Sequence, residues 1–434
     1  MDDGEYHLDD PKEELYEEEL SEKKPSNKNK IIIIISIIVI SIIIIGLIIF
    51  LVVLRANKKN ENKEEEKSDY YIYKNLTYAV NQKIINTFKE TGEHYNEILG
   101  NINNGNDYDE SDRNNFDICI PYNITKRKNK YNRIILYIHG GGWWAGHKMN
   151  ISEICPRYEK YGFISSSLGY TLLRVYNNTN MFRIIDEITH TINAIKDFLK
   201  GKGFDENKLE LVLGGGSAGG HLAMLYSYMI KNPSIPIKFV YDNVGPVNIE
   251  PKYFWYTRVY NESLDNIEPE DIERAKSENK LKSLDETPYA FAAKLAFLNQ
   301  MNLGVGRHIN ESYDKIFTNL TNGTIIENST EYKNLTNTAK YAFPLIYINK
   351  ETIPTICVYG GQDEYNGVEQ YSLLKKKFVE EGNYNIELVY YKYGPHEVEN
   401  VTGEAYNKAV IREEGVFYNY TQKYLTQDNN YINI

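Results

Sequence analysis

The stretch that most restricts what this chain can fold into runs from Leu209 to Leu225. An apolar run, Leu209 to Leu213, leads into Gly215-Gly216-Ser217-Ala218-Gly219-Gly220, and His221-Leu222-Ala223-Met224-Leu225 follows at once. A short apolar run that stops at glycine and resumes with helical composition reads as strand, sharp turn, helix. That unit belongs to a parallel sheet covered by crossover helices. The G-x-S-x-G pattern sets Ser217 on the turn itself. Such a turn strains the serine backbone and leaves no room for bulky neighbours, which accounts for the glycine and alanine on either side and leaves the hydroxyl exposed at the sheet edge.

Upstream, Arg133-Ile134-Ile135-Leu136-Tyr137-Ile138 reads as a second buried strand and runs into His139-Gly140-Gly141-Gly142-Trp143-Trp144. Consecutive glycines let backbone N–H groups converge on one oxygen without interference from a Cβ. The amides of Gly141, Gly142 and Ala218 are therefore the candidates for an oxyanion hole. Downstream, Pro354-Thr355-Ile356-Cys357-Val358-Tyr359-Gly360 reads as a strand with Asp363 in the loop after it. Ile386 to Tyr391 is another strand, followed by Tyr393-Gly394-Pro395-His396. Parallel strands end on one edge, so Ser217, Asp363 and His396 can meet there although they are far apart in the chain. In such a triad His396 takes the serine proton and Asp363 fixes the imidazole tautomer.

Among the eight histidines, His7 precedes a long apolar run, and His221 sits one turn along the nucleophile's own helix, pointing away from the hydroxyl. His139 heads the glycine loop, where a structural hydrogen bond fits better than base chemistry, and His94, His147, His190 and His308 lie in polar surroundings. For the acid, Asp242 also follows an apolar run, Ile237 to Tyr241, and Glu364 adjoins Asp363; Asp363 is preferred.

These residues amount to a resemblance. From Phe116 to about Thr426 the chain resembles the α/β-hydrolase superfamily. Within it, the resemblance is to the esterase/lipase branch of hormone-sensitive-lipase-like, bacterial esterase, kynurenine-formamidase-like and prenylcysteine-methylesterase-like enzymes. The matching pieces are Ile138 to Lys148, Ser167 to Leu173, Gly215 to Ala223, and the surroundings of Asp363 and His396. Gly216 departs from the many lipase-like members that carry an acidic residue before the serine. The resemblance implies an α/β-hydrolase fold, a mostly parallel central sheet flanked by helices, and a Ser-His-Asp serine hydrolase cleaving carboxylic esters through an acyl-enzyme. Two alternatives stay open: an amide hydrolase, arylformamidase-like or peptidase, on the same triad, and a catalytically dead glycosylated adhesion or scaffold ectodomain.

Ser217 and Asp363 are separated by more chain than one or two βα units need. The excess, about 251–343, reads as a helical cap, with helix-like stretches at Glu268 to Lys282 and Ala290 to Asn302. Trp143, Tyr170 and Trp255 are the aromatic candidates for the substrate pocket wall. A serine hydrolase needs no cofactor, and no P-loop, dinucleotide fingerprint or metal-ligand spacing is present.

The rest of the chain speaks to location. Ile31 to Leu54 is uncharged throughout; at about 1.5 Å per residue it would span roughly 36 Å, enough to cross a hydrocarbon core of about 30 Å. This length exceeds the apolar core of a signal peptide. Residues 1–30 form an acidic tail read as disordered and cytosolic, 55–115 a charged stalk with a helix expected in Tyr78 to Leu99, and 116–426 the catalytic domain. Lysines and arginines flank the span on both sides, so charge does not orient it. N-x-S/T sequons do: Asn75, Asn123, Asn150, Asn177, Asn261, Asn310, Asn319, Asn322, Asn328, Asn334, Asn400 and Asn419 all follow the span. Random placement of the chain's Asn, Ser and Thr would give roughly four. A type II membrane protein with a lumenal or extracellular catalytic domain is expected. Of the three cysteines, Cys357 reads as a buried free thiol, and Cys119 with Cys155 as a possible disulfide pair. A net charge of −11 with no basic stripe argues against nucleic acid as a partner.

Overall fold

A computed structural model describes residues 70–78, 113–173, 180–250, 324–363, 365–397 and 404–427, with short pieces at 255–256, 274, 282–283 and 317–319. Eight strands form one sheet: β1 (Tyr70–Thr77), β2 (Asn115–Pro121), β3 (Asn132–Ile138), β4 (Phe163–Gly169), β5 (Leu209–Gly216), β6 (Ile237–Asn243), β7 (Thr355–Gly360) and β8 (Ile386–Tyr391). Their order is β1-β2-β4-β3-β5-β6-β7-β8. β2 runs antiparallel to both β1 and β4, and the strands from β3 to β8 are parallel to one another. β2, β3 and β4 are buried at every residue, as befits strands covered on both faces, and β3 accordingly reads as a continuous apolar run, Ile134 to Ile138, rather than an alternation.

The described helices longer than two turns are α1 (Ile151–Glu159), α2 (Met181–Gly201), α3 (Ala218–Met229), α4 (Thr330–Ala339), α5 (Glu369–Glu380) and α6 (Glu404–Tyr424). Alternation along β6 sorts them into two layers. Phe239 and Tyr241 face α6, each packing edge-on against Phe417 at ring separations of 5.6 and 5.4 Å, and Phe417 also meets Tyr158 of α1. Asp242, on the opposite face, lies against α3, where a Cβ on Gly220 would come within 2.2 Å of its Oδ1. α3 is buried along its whole length and packs against α5 through Tyr228 and Phe378. Asparagines cap two of the helices. Asn150 Oδ1 accepts the Ser152 N–H at 3.1 Å and Asn180 Oδ1 the Arg183 N–H at 2.9 Å, each satisfying a first-turn donor that has no partner in the helix. Cys119 of β2 and Cys155 of α1 are joined by a disulfide with Cα atoms 6.1 Å apart, and Cys357 is a buried free thiol.

The strands expected at Arg133 to Ile138, Leu209 to Leu213, Pro354 to Gly360 and Ile386 to Tyr391 are present at nearly those limits. The sheet, however, begins earlier than residue 116. Tyr70–Thr77, inside the segment read as stalk, is an edge strand paired with β2. Its pattern was hidden because the register shifts between Tyr73 and Leu76, where Asn75 has φ +55°; a bulge of this kind breaks the two-residue period on which strand recognition depends. The apolar span 31–54 and the cap stretch Ala290 to Asn302 lie outside the described residues; of the helix expected in Tyr78 to Leu99 only Tyr78 is described, and of the cap stretch Glu268 to Lys282 only Arg274, in a helix, and Lys282, which is in a strand. Among the described residues no helix is long and apolar enough to cross a membrane. Within 251–343 the described pieces include α4, the 3-10 turn Lys340–Ala342 and two short antiparallel pairs, Trp255–Tyr256 with Lys282–Ser283 and Phe317–Asn319 with Thr324–Ile325.

Candidate active site

Ser217 occupies the turn between β5 and α3 with φ 54° and ψ −120°, a conformation that costs a non-glycine residue about 1–3 kcal/mol and survives only where its surroundings fix it. They do so here in two ways. The Ser217 N–H donates to the Asn243 carbonyl of β6 at 2.7 Å, and Gly219 lets the start of α3 press against β3, where a Cβ would lie 2.0 Å from the Ile138 carbonyl oxygen.

His396 Nε2 is 2.9 Å from Ser217 Oγ, and His396 Nδ1 is 2.8 and 3.0 Å from the two Asp363 oxygens. A carboxylate only accepts, so Nδ1 carries the proton and Nε2 is left to accept the serine O–H. Asp363 is buried, and its Oδ1 also accepts the N–H groups of Tyr365 and Asn366, each at 2.8 Å. Asn366 Nδ2 in turn donates to the Val244 carbonyl at 2.8 Å, pinning the acid's loop to the end of β6. The loops after β7 and β8 are sewn together by Gly361 N–H to the Tyr391 carbonyl and Gln362 N–H to the Gly394 carbonyl, both 2.9 Å. The three residues expected to meet at one sheet edge therefore do so.

The glycine loop lies directly against Ser217, since a Cβ on Gly140 would fall 3.2 Å from Ser217 Cβ. Gly141 and Gly142 have φ of +106° and +59°. The Gly141 carbonyl turns inward to accept the N–H groups of Trp144 and Ala145 at 3.2 and 2.9 Å. His139 Nδ1 donates to the Gly140 carbonyl at 2.7 Å; in a trans peptide the carbonyl and the following N–H point in opposite directions, so this bond aims the Gly141 N–H away from His139. Burial lowers the His139 pKa to about 4, so the ring stays neutral. Ala218, the first residue of α3, keeps an N–H with no intrahelical acceptor, as every helix start does. Arg113 Nη2 donates to the Gly146 carbonyl at 2.8 Å and anchors the loop's exit.

Two of the aromatic residues expected to wall the pocket, Trp143 and Tyr170, and the rival acid Asp242 are engaged in the interior. Trp143 is buried with its indole N–H donating to His221 Nδ1 at 3.1 Å. Tyr170 is buried, stacked on His139 at 4.1 Å, and its O–H donates to the His139 carbonyl at 3.2 Å. Both support the glycine loop from beneath and offer no open surface. Trp255 pairs through its backbone with Ser283, and nothing is described of its side chain. Asp242 is fully buried, accepting the Gly245 N–H at 2.8 Å and the Tyr359 O–H at 3.0 Å; burial pushes its pKa well up, and it organises the turn after β6. Glu364 lies outside the described residues. Gly216 leaves space that is taken by the Tyr137 hydroxyl, 3.1 Å from where a Cβ would sit. Asn366 and Arg113 carry no signal in the sequence, because only the folded loop brings their polar groups to the carbonyls they hold. Among the described residues no group of three or more His, Cys, Asp or Glu could hold a metal ion.

A protein-family model, BD-FAE, matches residues 116–378. No curated protein matches the chain. Among solved structures, esterase B from Lactobacillus rhamnosis is similar at 14% identity and TM-score 0.44 over 88% of this chain and 97% of that one. A truncated carbohydrate esterase from gut microbiota is similar at 14% identity and TM-score 0.48 over 82% and 99%. A butyrate-bound esterase from Thermogutta terrifontis is similar at 17% identity and TM-score 0.40 over 73% and 92%. Likeness at this level carries no information about substrate. The family match covers more than half of the chain, from β2 through the nucleophile turn to α5, and on that ground the protein belongs to the BD-FAE family, an α/β-hydrolase-type esterase family, and is a carboxylic-ester hydrolase.

Proposed function

We propose that this esterase works through an acyl-enzyme on Ser217. The single observation that carries the reading is the unbroken relay from Asp363 through His396 to Ser217, with contacts of 2.8 and 2.9 Å. Ser217 Oγ bonds to the ester carbonyl carbon while its proton passes to His396 Nε2, and Asp363 stabilises the imidazolium without taking its proton. The carbonyl electrons move onto oxygen, where the N–H groups of Gly141, Gly142 and Ala218 receive the charge; each such donor is worth about 10²–10³ in kcat. Collapse expels the alcohol, which takes the proton back from His396. Water then attacks the acyl carbon with His396 again as base, releasing the carboxylic acid and free Ser217.

We also propose that the enzyme is anchored to a membrane by residues 31–54, in a type II orientation with the catalytic domain lumenal or extracellular. Three features support it: the length of the uncharged span, the Cys119–Cys155 disulfide, which persists in oxidising compartments, and the sequons. The sequon asparagines whose surroundings are described, Asn75, Asn123, Asn150, Asn328, Asn334 and Asn419, are all exposed, as an attached glycan requires. The test is covalent labelling of the full chain, expressed through a secretory pathway and purified in detergent, with a fluorophosphonate probe. Wild type is expected to label and Ser217→Ala and His396→Ala not to; a folded wild type that fails to label refutes the triad. Treatment of the same sample with an N-glycosidase is expected to increase its mobility, and an unchanged band refutes the orientation.

A further inference from the structure

His221 is buried in the nucleophile helix and has no place in the relay to Ser217, yet its two nitrogens face two different parts of the site. Nδ1 lies 3.1 Å from the Trp143 indole nitrogen and Nε2 lies 2.8 Å from the Ala342 carbonyl oxygen. An indole N–H can only donate and a carbonyl can only accept, so the imidazole is neutral with its proton on Nε2, and both nitrogens are satisfied. The ring is fully buried and meets the Trp143 ring edge-on at 5.1 Å. Trp143 follows Gly142 directly, has φ +68°, and its carbonyl accepts the Leu173 N–H at 2.9 Å. Ala342 closes the inserted segment 251–343, just before the chain returns through Pro344 to β7.

We propose that His221 is a positioning residue for the oxyanion hole, holding the Gly141–Gly142 loop in register with Ser217 through Trp143 and fastening both to the end of the insertion through Ala342. The inference rests on the acyl-enzyme reading above. A buried indole N–H that loses its acceptor carries an unmet desolvation penalty, and Trp143 sits in a left-handed conformation that its contacts must maintain. Without His221 the loop relieves both by reseating, and the Gly141 and Gly142 amides leave the place where the oxyanion forms. Ground-state binding of a small ester makes little use of those amides, so the loss falls on kcat rather than KM.

The experiment measures kcat and KM for p-nitrophenyl acetate on the full chain in detergent, for wild type, Ser217→Ala, Trp143→Phe, His221→Leu, the Trp143→Phe/His221→Leu double variant and His221→Gln. The expected result is a kcat loss of about 10- to 100-fold in each single variant, KM within about threefold, and a double variant no worse than the poorer single. Glutamine, which offers an acceptor and a donor on one planar group, recovers part of the loss. Unchanged kcat in Trp143→Phe, or losses that multiply in the double variant, overturns the proposal; if His221→Leu does not fold, Trp143→Phe and His221→Gln decide it. Equal turnover in wild type and Ser217→Ala would instead refute the acyl-enzyme reading on which it stands.

Discussion

Gly219→Ala tests how the nucleophile turn is held. Alanine is the better helix former by about 1 kcal/mol, so propensity alone predicts a gain. The structure predicts the opposite. The new Cβ would lie 2.0 Å from the Ile138 carbonyl oxygen, 2.6 Å from its carbon and 2.7 Å from the His139 oxygen, all backbone atoms that no side-chain rotation can move. Ordinary contact begins at 3.4 Å, so the start of α3 and the end of β3 must part by the difference, 3.4 minus 2.0, or about 1.4 Å. Ser217 is carried by one of these elements and the Gly141–Gly142 loop by the other, so the displacement opens directly between the Ser217 hydroxyl and the amides proposed to receive the oxyanion. A misplacement of about 1 Å costs on the order of 10²-fold in rate, and forcing a methyl group into a filled contact costs about 1–3 kcal/mol. Turnover of p-nitrophenyl acetate and urea unfolding followed by circular dichroism measure both. Gly415→Ala on α6 is the control: it meets nothing within 4 Å and is expected to stabilise by about 0.5–1 kcal/mol with unchanged kcat. A Gly219→Ala variant within threefold of wild-type kcat and equally stable would refute the close-approach argument.

Two further outcomes follow from the described geometry. Replacing both Cys119 and Cys155 by alanine removes a link across a sequence separation of 36; loop-closure entropy then predicts a loss of about 4 kcal/mol, read from the urea midpoint, and a loss below about 1 kcal/mol would show that the bond constrains little. Burial holds the His221 pKa down at about 4 against an ordinary 6.5. As pH falls below 6.5 the unfolded chain takes up a proton the folded chain refuses until about pH 4, so wild type loses stability relative to His221→Gln by about 1.4 kcal/mol per pH unit across that window. A stability difference between the two that stays flat from pH 6.5 to 4.5 contradicts this.

The relay was legible in the sequence because each of its parts ends an apolar run: Leu209 to Leu213 before Ser217, Thr355 to Gly360 before Asp363, Ile386 to Tyr391 before His396. In a parallel sheet the ends of such runs share one edge, so strand boundaries alone place the three side chains near one another. The choice of Asp363 over Asp242 was harder, since both follow strands. Both are buried, and their partners separate them: Asp242 is spent on the Gly245 N–H and the Tyr359 hydroxyl, while Asp363 faces His396. β1 was not legible, because a register shift at Asn75 spoils its alternation and its pairing partner lies some forty residues away.

By itself the sequence determined the layered α/β class, the strand ends and which three side chains, Ser217, Asp363 and His396, come together at one sheet edge, because periodicity and turn chemistry are local and survive in a string of letters. The tertiary structure alone decided what Trp143, Tyr170 and His221 do. Read as letters, Trp143 beside the glycine loop and Tyr170 in a later segment suggested a pocket wall, and a histidine one turn past the serine suggested nothing. Folded, Tyr170 stacks under His139, and Trp143 gives its N–H to His221 across 78 residues of chain. Whether a side chain faces a ligand or a buried acceptor depends on which distant groups arrive beside it, and no local pattern carries that information.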